Sequence, residues 1–312
     1  PGQNILGNTD GAPPVAEVTI ECDDLLISSA FVYELDETLA HYDLRGEISR
    51  KIGYALAENY DRRIFRAVTK AARQASPILK TNFVEPGGTQ IRVGTNNSGA
   101  DAYVSASLIN AFYDAAAALD EKGVSTEGRV GVLNPRQYYE LIQAVGSNGL
   151  VNRDEQGDSL QSGNGIIEIA GIKIYKSMNI PFFGKFGTKY GTASATAPGT
   201  TDPGNTGTFV GDSMGDQENL TSAPAAGQKT VNDYGEEAKF DHSCGLIFQK
   251  EAVGCVEAIG PQVQVTSGDV SVIYQGDVIL GRLAMGAAPL NPAAAVELVA
   301  GAAAGAGNNA AF

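Results

Sequence analysis

The feature that most constrains the fold is a long series of apolar residues spaced four apart. They would lie on one side of a helix, and they are Leu44, Ile48, Ile52, Leu56, Tyr60, Ile64, Val68 and Ala72. With Asp36 as the N-cap and Pro77 beyond the end, the series predicts one helix from Asp36 to about Ala75. Because four residues turn a helix through about 400°, the apolar stripe drifts and must contact different neighbours along its length. A coiled coil is therefore disfavoured.

The length of this helix bears on the shape of the molecule. About 40 residues at 1.5 Å each would span roughly 60 Å, whereas a compact chain of this length would be about 50 Å across. Either the helix breaks at Gly46 and Gly53, where glycine costs about 1 kcal/mol each, or the molecule is flat and elongated. We favour the flat molecule.

The rest of the chain predicts strands mixed with helices. Before the middle of the chain they are one or two strands in Val15–Tyr33, a hairpin in Asn82–Val93 around Pro86–Gly88, a helix over Asp101–Lys122, and a strand, turn and helix in Gly128–Gln143. Later come a hairpin in Ile166–Ser177 turning at Ala170 and Gly171, and strands in Gly245–Ile259 and Val270–Met285. Because no strand–helix–strand rhythm repeats, these elements predict an α+β fold.

Three segments have the composition of loops. Residues 1–17 are rich in Gly, Pro and Asn and predict an extended arm. Residues 184–235 are rich in Gly, Thr, Ser and Ala with few apolar anchors, which predicts a long surface loop. The alanine- and glycine-rich tail, Ala293–Ala311, is expected to pack little.

Charge and cysteine content exclude several classes of protein. The formal net charge is −14, so the chain repels polyphosphate on average and specific DNA binding is not expected. Cys22, Cys244 and Cys255 are too sparse for a disulfide framework and predict reduced, small buried residues in a cytosolic setting. Neither a run of about 20 apolar residues nor a signal-peptide pattern is present, so we expect a soluble chain without a membrane partner.

Residues suited to catalysis or metal binding are scarce. His41 and His242 are the only histidines, and we interpret His41 as structural. The run Asp241–Cys244 holds an acid, a base and nucleophiles, but neighbours along a strand point to opposite faces. The segment Asn152–Gly163 begins like a calcium loop but has glycine where the bidentate glutamate is needed. We therefore predict no catalytic residue, no metal site and no cofactor, with a hydrolase using the His242 segment as the alternative from another class.

Three stretches share their order and spacing with a known family. The first, within Ile20–Lys51, has as its most telling residues His41, Tyr42, Asp43, Leu44 and Arg45. The second comprises Gly245, Leu246, Phe248, Ala252, Val253 and Gly254. The third comprises Ala284, Met285, Gly286, Leu290, Pro292, Ala293 and Ala294. With these three stretches in this order, the sequence resembles the major capsid proteins of short-tailed podovirus bacteriophages. Pro1–Asn4 is similar to the end of the extended loop of that family.

The resemblance implies the α+β tailed-phage capsid fold of the Hong Kong phage type. That fold has a peripheral P domain with a long spine helix, an axial A domain and an extended E-loop. The implied layout is the end of the E-loop in 1–17, the P domain in 18–95 with the spine helix over 36–75, the A domain in 96–258 with the insertion 184–235, and a return to the P domain with the tail in 259–312. It also implies an N-terminal arm upstream of Pro1.

The resemblance further implies a structural function. Copies would assemble through pentamers and hexamers into an icosahedral virion shell, in the host bacterial cytoplasm and with a scaffolding protein and a portal as partners. The shell would enclose the double-stranded DNA genome of a tailed phage without specific binding. A nanocompartment shell protein of the same fold is the alternative. Some members of this fold are crosslinked by isopeptide bonds from an E-loop lysine, but the first lysine here is Lys51, so residues 1–16 offer no amine.

Overall fold

The computed structural model describes the two sheets and the helices that pack on them. The described residues are 17–23, 25–40, 43–76, 79–80, 83–84, 86–94, 99–142, 167–181, 232, 234, 243–266 and 273–300. Several predictions fall outside them: the E-loop end, both histidines, the calcium-like loop Asn152–Gly163, and all of the insertion 184–235 except Asn232 and Tyr234.

The predicted long helix is divided into two helices. Helix α1 spans Glu34–Leu39 and helix α2 spans Leu44–Arg73. The prediction of one helix from Asp36 is wrong at its start, because the backbone is extended at Ala40, with ψ of 134°. At 1.5 Å per residue, the 30 residues of α2 span about 45 Å, so the length of this helix alone does not require a flat molecule.

The start of α2 is set by a side-chain cap. The carboxylate of Asp43 accepts a hydrogen bond from the backbone N–H of Gly46 at 2.9 Å. A Cβ at Gly46 would collide with that carboxylate, so glycine in this turn belongs to the cap. Gly53 also lies within α2 with nothing near its missing side chain. Neither glycine breaks the helix.

A three-stranded antiparallel sheet lies under the first half of α2. Its strands are β1 (Leu26–Tyr33), β9 (Val253–Val265) and β10 (Gly276–Pro289), in the order β1-β10-β9. Ile52 and Leu56 of α2 belong to the same apolar cluster as Val32, Ile279 and Leu283 of this sheet.

A six-stranded mixed sheet lies under the second half of α2. Its strands are β4 (Thr89–Arg92), β5 (Arg129–Leu133), β6 (Ile167–Ile169), β7 (Ile172–Lys176), β8 (Ser243–Gln249) and β11 (Ala295–Val299), in the order β4-β11-β8-β5-β7-β6. Val68 and Ala72 of α2 cluster with Val132 and Leu246 of this sheet. The apolar stripe of α2 therefore changes neighbours along its length, which confirms that prediction.

Two predictions about β4 and β11 are wrong. The hairpin expected around Pro86 does not form, because Thr89–Arg92 pairs in parallel with β11, and the short hairpin of this region joins Leu79–Lys80 (β2) to Phe83–Val84 (β3). The tail expected to pack little is buried from Ala293 to Leu298, where it forms a 3₁₀ turn and the strand β11. The strand holds Val296, Leu298 and Val299, and only the alanines and glycines around it have a loop composition. Residues 301–311 of the predicted tail lie outside the described residues.

Three local predictions are confirmed. Helix α3 spans Ser105–Glu121 and is followed by Gly123 with φ of +71°. Strand β5 leads directly into helix α4, Pro135–Ile142, which begins at proline. The β6–β7 hairpin turns at Ala170 and Gly171, where φ is 52° and 75°, as a type I′ turn requires.

Candidate assembly frame

An ion pair joins the start of α2 to the three-stranded sheet. Nη1 of Arg45 lies 2.5 Å from Oδ2 of Asp277 at the start of β10, with 35% and 11% of the two side chains exposed. Two residues earlier, Asp43 caps the helix. Asp43 and Arg45 both belong to the stretch that carried the family resemblance, whereas His41 and Tyr42 of that stretch lie outside the described residues.

A buried carboxylate joins the middle of α2 to three other segments. Oδ2 of Asp23 lies 3.3 Å from Nη1 of Arg63 and accepts a hydrogen bond of 2.5 Å from the hydroxyl of Tyr234. Oδ1 of Asp23 accepts a hydrogen bond of 3.1 Å from Nδ2 of Asn232. The backbone N–H of Asp23 donates to the carbonyl of Met285 in β10. The side chain of Asp23 therefore joins α2 to the end of the insertion, and its backbone N–H joins the segment before β1 to β10.

Tyr234 completes this cluster. Its hydroxyl oxygen accepts a hydrogen bond of 3.1 Å from the backbone N–H of Ala287, and the Arg63 guanidinium lies 5.5 Å from its ring centre. Burial raises the pKa of the Tyr234 hydroxyl well above its usual value, and the hydrogen bond to Asp23 raises it further. The hydroxyl therefore stays protonated and remains a donor. Sequence reasoning missed this residue, although a tyrosine at the end of a segment rich in small residues is a sign of an anchor.

A second buried carboxylate joins the end of α2 to the six-stranded sheet. Nε and Nη2 of Arg73 each donate a hydrogen bond of 2.7 Å to Glu297 in β11. Nε2 of Gln90 in β4 donates to the same carboxylate at 2.8 Å. The side chain of Glu297 is fully buried and that of Arg73 is 3% exposed. Sequence reasoning missed this pair too, although one acid among apolar residues in Ala295–Val299 is the pattern of a buried, paired charge.

These three contacts lie at the start, middle and end of α2. Each joins an arginine of the helix to an acid outside it: Asp277, Asp23 and Glu297. A buried charge that loses its partner is strongly destabilising. The two buried pairs, Arg63–Asp23 and Arg73–Glu297, therefore disfavour any displacement of the helix from the two large sheets. We refer to α2 with these three ion pairs as the frame.

The glycines of the second and third family stretches lie where two segments approach closely. A Cβ at Gly286 in β10 would overlap the carbonyl oxygen of Glu21, and one at Gly254 in β9 would overlap the side chain of Ile20. A Cβ at Gly245 in β8 would lie 2.5 Å from Cδ2 of Leu133. At the first two positions, glycine allows residues 20–23 to lie on the sheet.

Several other residues of those stretches lie where the chain crosses between the sheets, whereas Leu246, Phe248 and Ala284 lie within strands β8 and β10. It leaves β8 for β9 through Ala252 and Val253, and leaves β10 for β11 through Leu290 and Pro292. The carbonyl of Ala252 accepts a hydrogen bond of 2.9 Å from the backbone N–H of Leu290, so the two crossings are bonded to each other. Met285 is fully buried in the apolar cluster between α2 and the three-stranded sheet.

The residues considered for catalysis or metal binding do not form a site in the described part of the chain. Cys244 is fully buried, and burial raises the pKa of its thiol, which makes it a poor nucleophile. Cys255 is exposed, so the prediction of a buried thiol is wrong there; it lies on an edge strand, with Sγ 3.4 Å from the hydroxyl of Tyr60. Among the described residues no group of His, Cys, Asp and Glu could hold a metal ion.

None of the helices described is long and apolar enough to cross a membrane.

Known proteins similar to this chain are capsid proteins. The family model of the Gp10A-like major capsid proteins matches residues 1–217. The major capsid protein of Escherichia phage T7 is 23% identical over 302 residues, which cover 96% of this chain and 77% of that protein. The capsid structure of the cyanophage P-SCSP1u matches with a TM-score of 0.67 and 28% identity over 97% of this chain and 79% of that one. The mature capsid of bacteriophage PhiM1 matches with a TM-score of 0.56 and 16% identity over 96% and 79% of the two chains.

The long helix on two sheets is therefore the subunit fold of tailed-phage capsids, as the sequence resemblance implied. Since the family match covers more than half of its length, the chain belongs to the Gp10A-like family of major capsid proteins. It is a structural protein of a phage virion that associates with copies of itself in a shell. The family is structural, and no finding favours the hydrolase alternative.

Proposed function

We propose that this chain forms an icosahedral shell of pentamers and hexamers around the double-stranded DNA of a tailed phage. Assembly takes place in the host bacterial cytoplasm, with a scaffolding protein and a portal as partners. Many copies of one modest interface suffice, because closure of the shell makes each contact part of a multivalent assembly. The net charge of −14 suits a container that holds DNA without binding it specifically.

The observation that carries this proposal is the frame. A shell subunit must keep its shape while it contacts neighbouring subunits on several sides. A helix joined at three points to the rest of the subunit, including the two large sheets, provides that rigidity. The pair Arg73–Glu297 is fully desolvated and bidentate, which fixes orientation as well as distance. A nanocompartment shell would need the same rigidity, so the frame alone supports a shell of either kind. Membership of the major capsid protein family favours the phage capsid.

We further propose that the P and A domains correspond to the two sheets. The P domain consists of α1, α2 and the three-stranded sheet, and the A domain of the six-stranded sheet with α3 and α4. This layout moves the predicted boundary at 258 to the crossing at Ala252, and it assigns β4, from the predicted P domain 18–95, and β11 to the A domain. Among the described residues that carried the resemblance, Asp43 and Arg45 act at the start of the frame, and Ala252, Val253 and Pro292 lie at the crossings.

Expression of the chain followed by electron microscopy and sedimentation tests the proposal. Closed particles of uniform size are the expected result. Ile52→Pro should yield none, because proline removes a backbone hydrogen bond inside α2 and costs about 3 kcal/mol or more. A chain that stays monomeric at every concentration, alone and with its phage partners, contradicts the proposal; ester or amide turnover that is lost in His242→Ala would favour the hydrolase.

A further inference from the structure

Large apolar side chains are exposed along β1 and beside the end of the three-stranded sheet where β1 ends. On the face of β1 opposite α2 they are Ile27 (54% exposed), Phe31 (48%) and Tyr33 (44%), and nearby on α1 and before β10 they are Leu35 (59%), Ile273 (72%) and Tyr274 (64%). We call these six residues the β1 surface.

The sheet register and one hydrogen bond bring these residues together. Phe31 and Tyr33 lie in an edge-to-face contact, with ring centres 6.1 Å apart. Tyr33 pairs with Gly276 of β10, and the N–H of Glu34 donates to the carbonyl of Gln275. The start of α1 and the turn before β10 therefore lie at the same end of the sheet.

The same face of the sheet is covered elsewhere. Residues 20–23 lie over Gly286 and Gly254, where the missing side chains make room for them. On the opposite face, Val32 packs against α2 and is 2% exposed. Among the described residues, the β1 surface is thus a part of the outer face that residues 20–23 do not cover.

The size of this surface indicates that it is an interface. At about 200 Å² per large side chain, the exposed fractions leave about 700 Å² of apolar surface in water. The largest apolar patch on a monomeric protein is usually about 300–600 Å². One side of a standard protein–protein interface buries about 800 Å², so the β1 surface is close to what one specific contact requires.

We infer that the β1 surface is a contact between copies of this chain, an inference that rests on the proposed assembly into a shell. Each copy carries a net charge of −14, so copies repel one another and can associate only where the contact is apolar or locally neutral. The outer face of β1, with the neighbouring Val278, Leu280 and Arg282 of β10, has one charged side chain, Arg282, which donates to the side-chain oxygen of Gln262 at 3.2 Å. The exposed acids Glu34 and Asp36 lie on α1, at the edge of this surface. The strand part of the surface is therefore an apolar area on which a second copy can pack.

Paired serine substitutions test the inference. Phe31→Ser combined with Tyr33→Ser removes both rings from the exposed face, and Tyr113→Ser is the matched control, because Tyr113 is 52% exposed on α3, in another part of the molecule. Sedimentation velocity gives the concentration at which oligomers appear, and circular dichroism with thermal unfolding checks that each variant folds. The double variant should raise this concentration at least tenfold, while Tyr113→Ser leaves it unchanged. Added sodium chloride should not raise the concentration at which the unaltered chain forms oligomers, because the contact is apolar.

Each other outcome is decisive. Equal thresholds for the folded double variant and the unaltered chain overturn the inference and leave the proposed shell function standing. The inference is also overturned if Tyr113→Ser raises the threshold concentration as much as the double variant does. It is overturned as well if the double variant oligomerises normally but fails to bind another phage protein, since the surface would then bind that partner. A complete absence of oligomers from the unaltered chain, with and without phage partners, overturns the proposed function and this inference with it.

Discussion

The guanidinium of Arg73 and the carboxylate of Glu297, 224 residues apart in sequence, are joined by two hydrogen bonds of 2.7 Å in the interior of the protein. Glu297→Gln should lower the free energy of unfolding by about 3–5 kcal/mol, because it leaves the Arg73 charge buried without a counter-charge. Urea unfolding measures the change. Glu47→Gln is the control, since Glu47 pairs with Arg50 at 3.6 Å on the surface, where such pairs contribute about 0–1 kcal/mol. Equal losses in the two variants would show that the buried pair has no special role.

How far the sequence alone could lead differs from one element to the next. The series from Leu44 to Ala72 predicted α2 and its change of neighbours, because a helical repeat depends only on the local sequence. It could not locate the start at Leu44, since Asp36 and Asp43 are equally good N-caps by residue type. The contact of Arg45 with Asp277, which lies far away in sequence, is not visible in a local pattern.

The candidate frame was predictable only in part. The family stretches indicated Asp43, Arg45 and the glycines, but not why those residue types are needed. The partners Asp23, Tyr234 and Glu297 come from distant segments, and only the pairing of β10 and β11 with their neighbours brings them to α2. The error on the tail arose because the alanines and glycines on both sides hid the short apolar strand Ala295–Val299.

The cap of α2 gives a smaller effect than the buried pair. Asp43→Ala should lower the free energy of unfolding by about 1 kcal/mol, because the backbone N–H of Gly46 loses its acceptor. Asp43→Asn should cost little, since the amide oxygen is also a good N-cap acceptor. Chemical denaturation of the two variants distinguishes them, and a larger loss for asparagine than for alanine would contradict the capping role.

Gly286 is expected to tolerate no side chain. Gly286→Ala should cost about 1–3 kcal/mol, because the new Cβ overlaps the Glu21 carbonyl and must push residues 20–23 away from β10. Hydrogen exchange at the amide of Asp23, which is bonded to Met285, should become faster. Gly53→Ala is the matched control. Gly53 lies within α2 and a Cβ there would contact no other atom, so alanine should stabilise the protein by about 1 kcal/mol. Slow exchange at Asp23 in the Gly286 variant would show that the close approach does not constrain this segment.

Tyr234 should contribute a pH dependence at alkaline pH. Its pKa in the folded protein is raised, so the neutral hydroxyl is favoured there, and this stabilisation is complete below the unfolded pKa of about 10. As the pH rises above about 10, the unfolded chain ionises first and the contribution is lost. Tyr234→Phe should cost about 1–3 kcal/mol at neutral pH, since it removes the bond to Asp23, and the difference from the unaltered chain should shrink above pH 10. Tyr113→Phe should follow the unaltered profile in thermal melts; a constant Tyr234 difference at all pH values would argue against a raised pKa.

The shell should be held together without covalent bonds between subunits. Within residues 1–312 the first lysine is Lys51, which lies within α2, so the segment 1–16 cannot supply the amine of an isopeptide bond to a neighbouring asparagine, and only a lysine upstream of Pro1 could supply it from this loop. The cysteines described are free thiols, and reductant removes any disulfide formed later. Particles boiled in detergent and reductant should therefore run on a gel as single chains. A ladder of larger bands that survives this treatment would refute the non-covalent shell, and mass spectrometry of those bands would identify the linked residues.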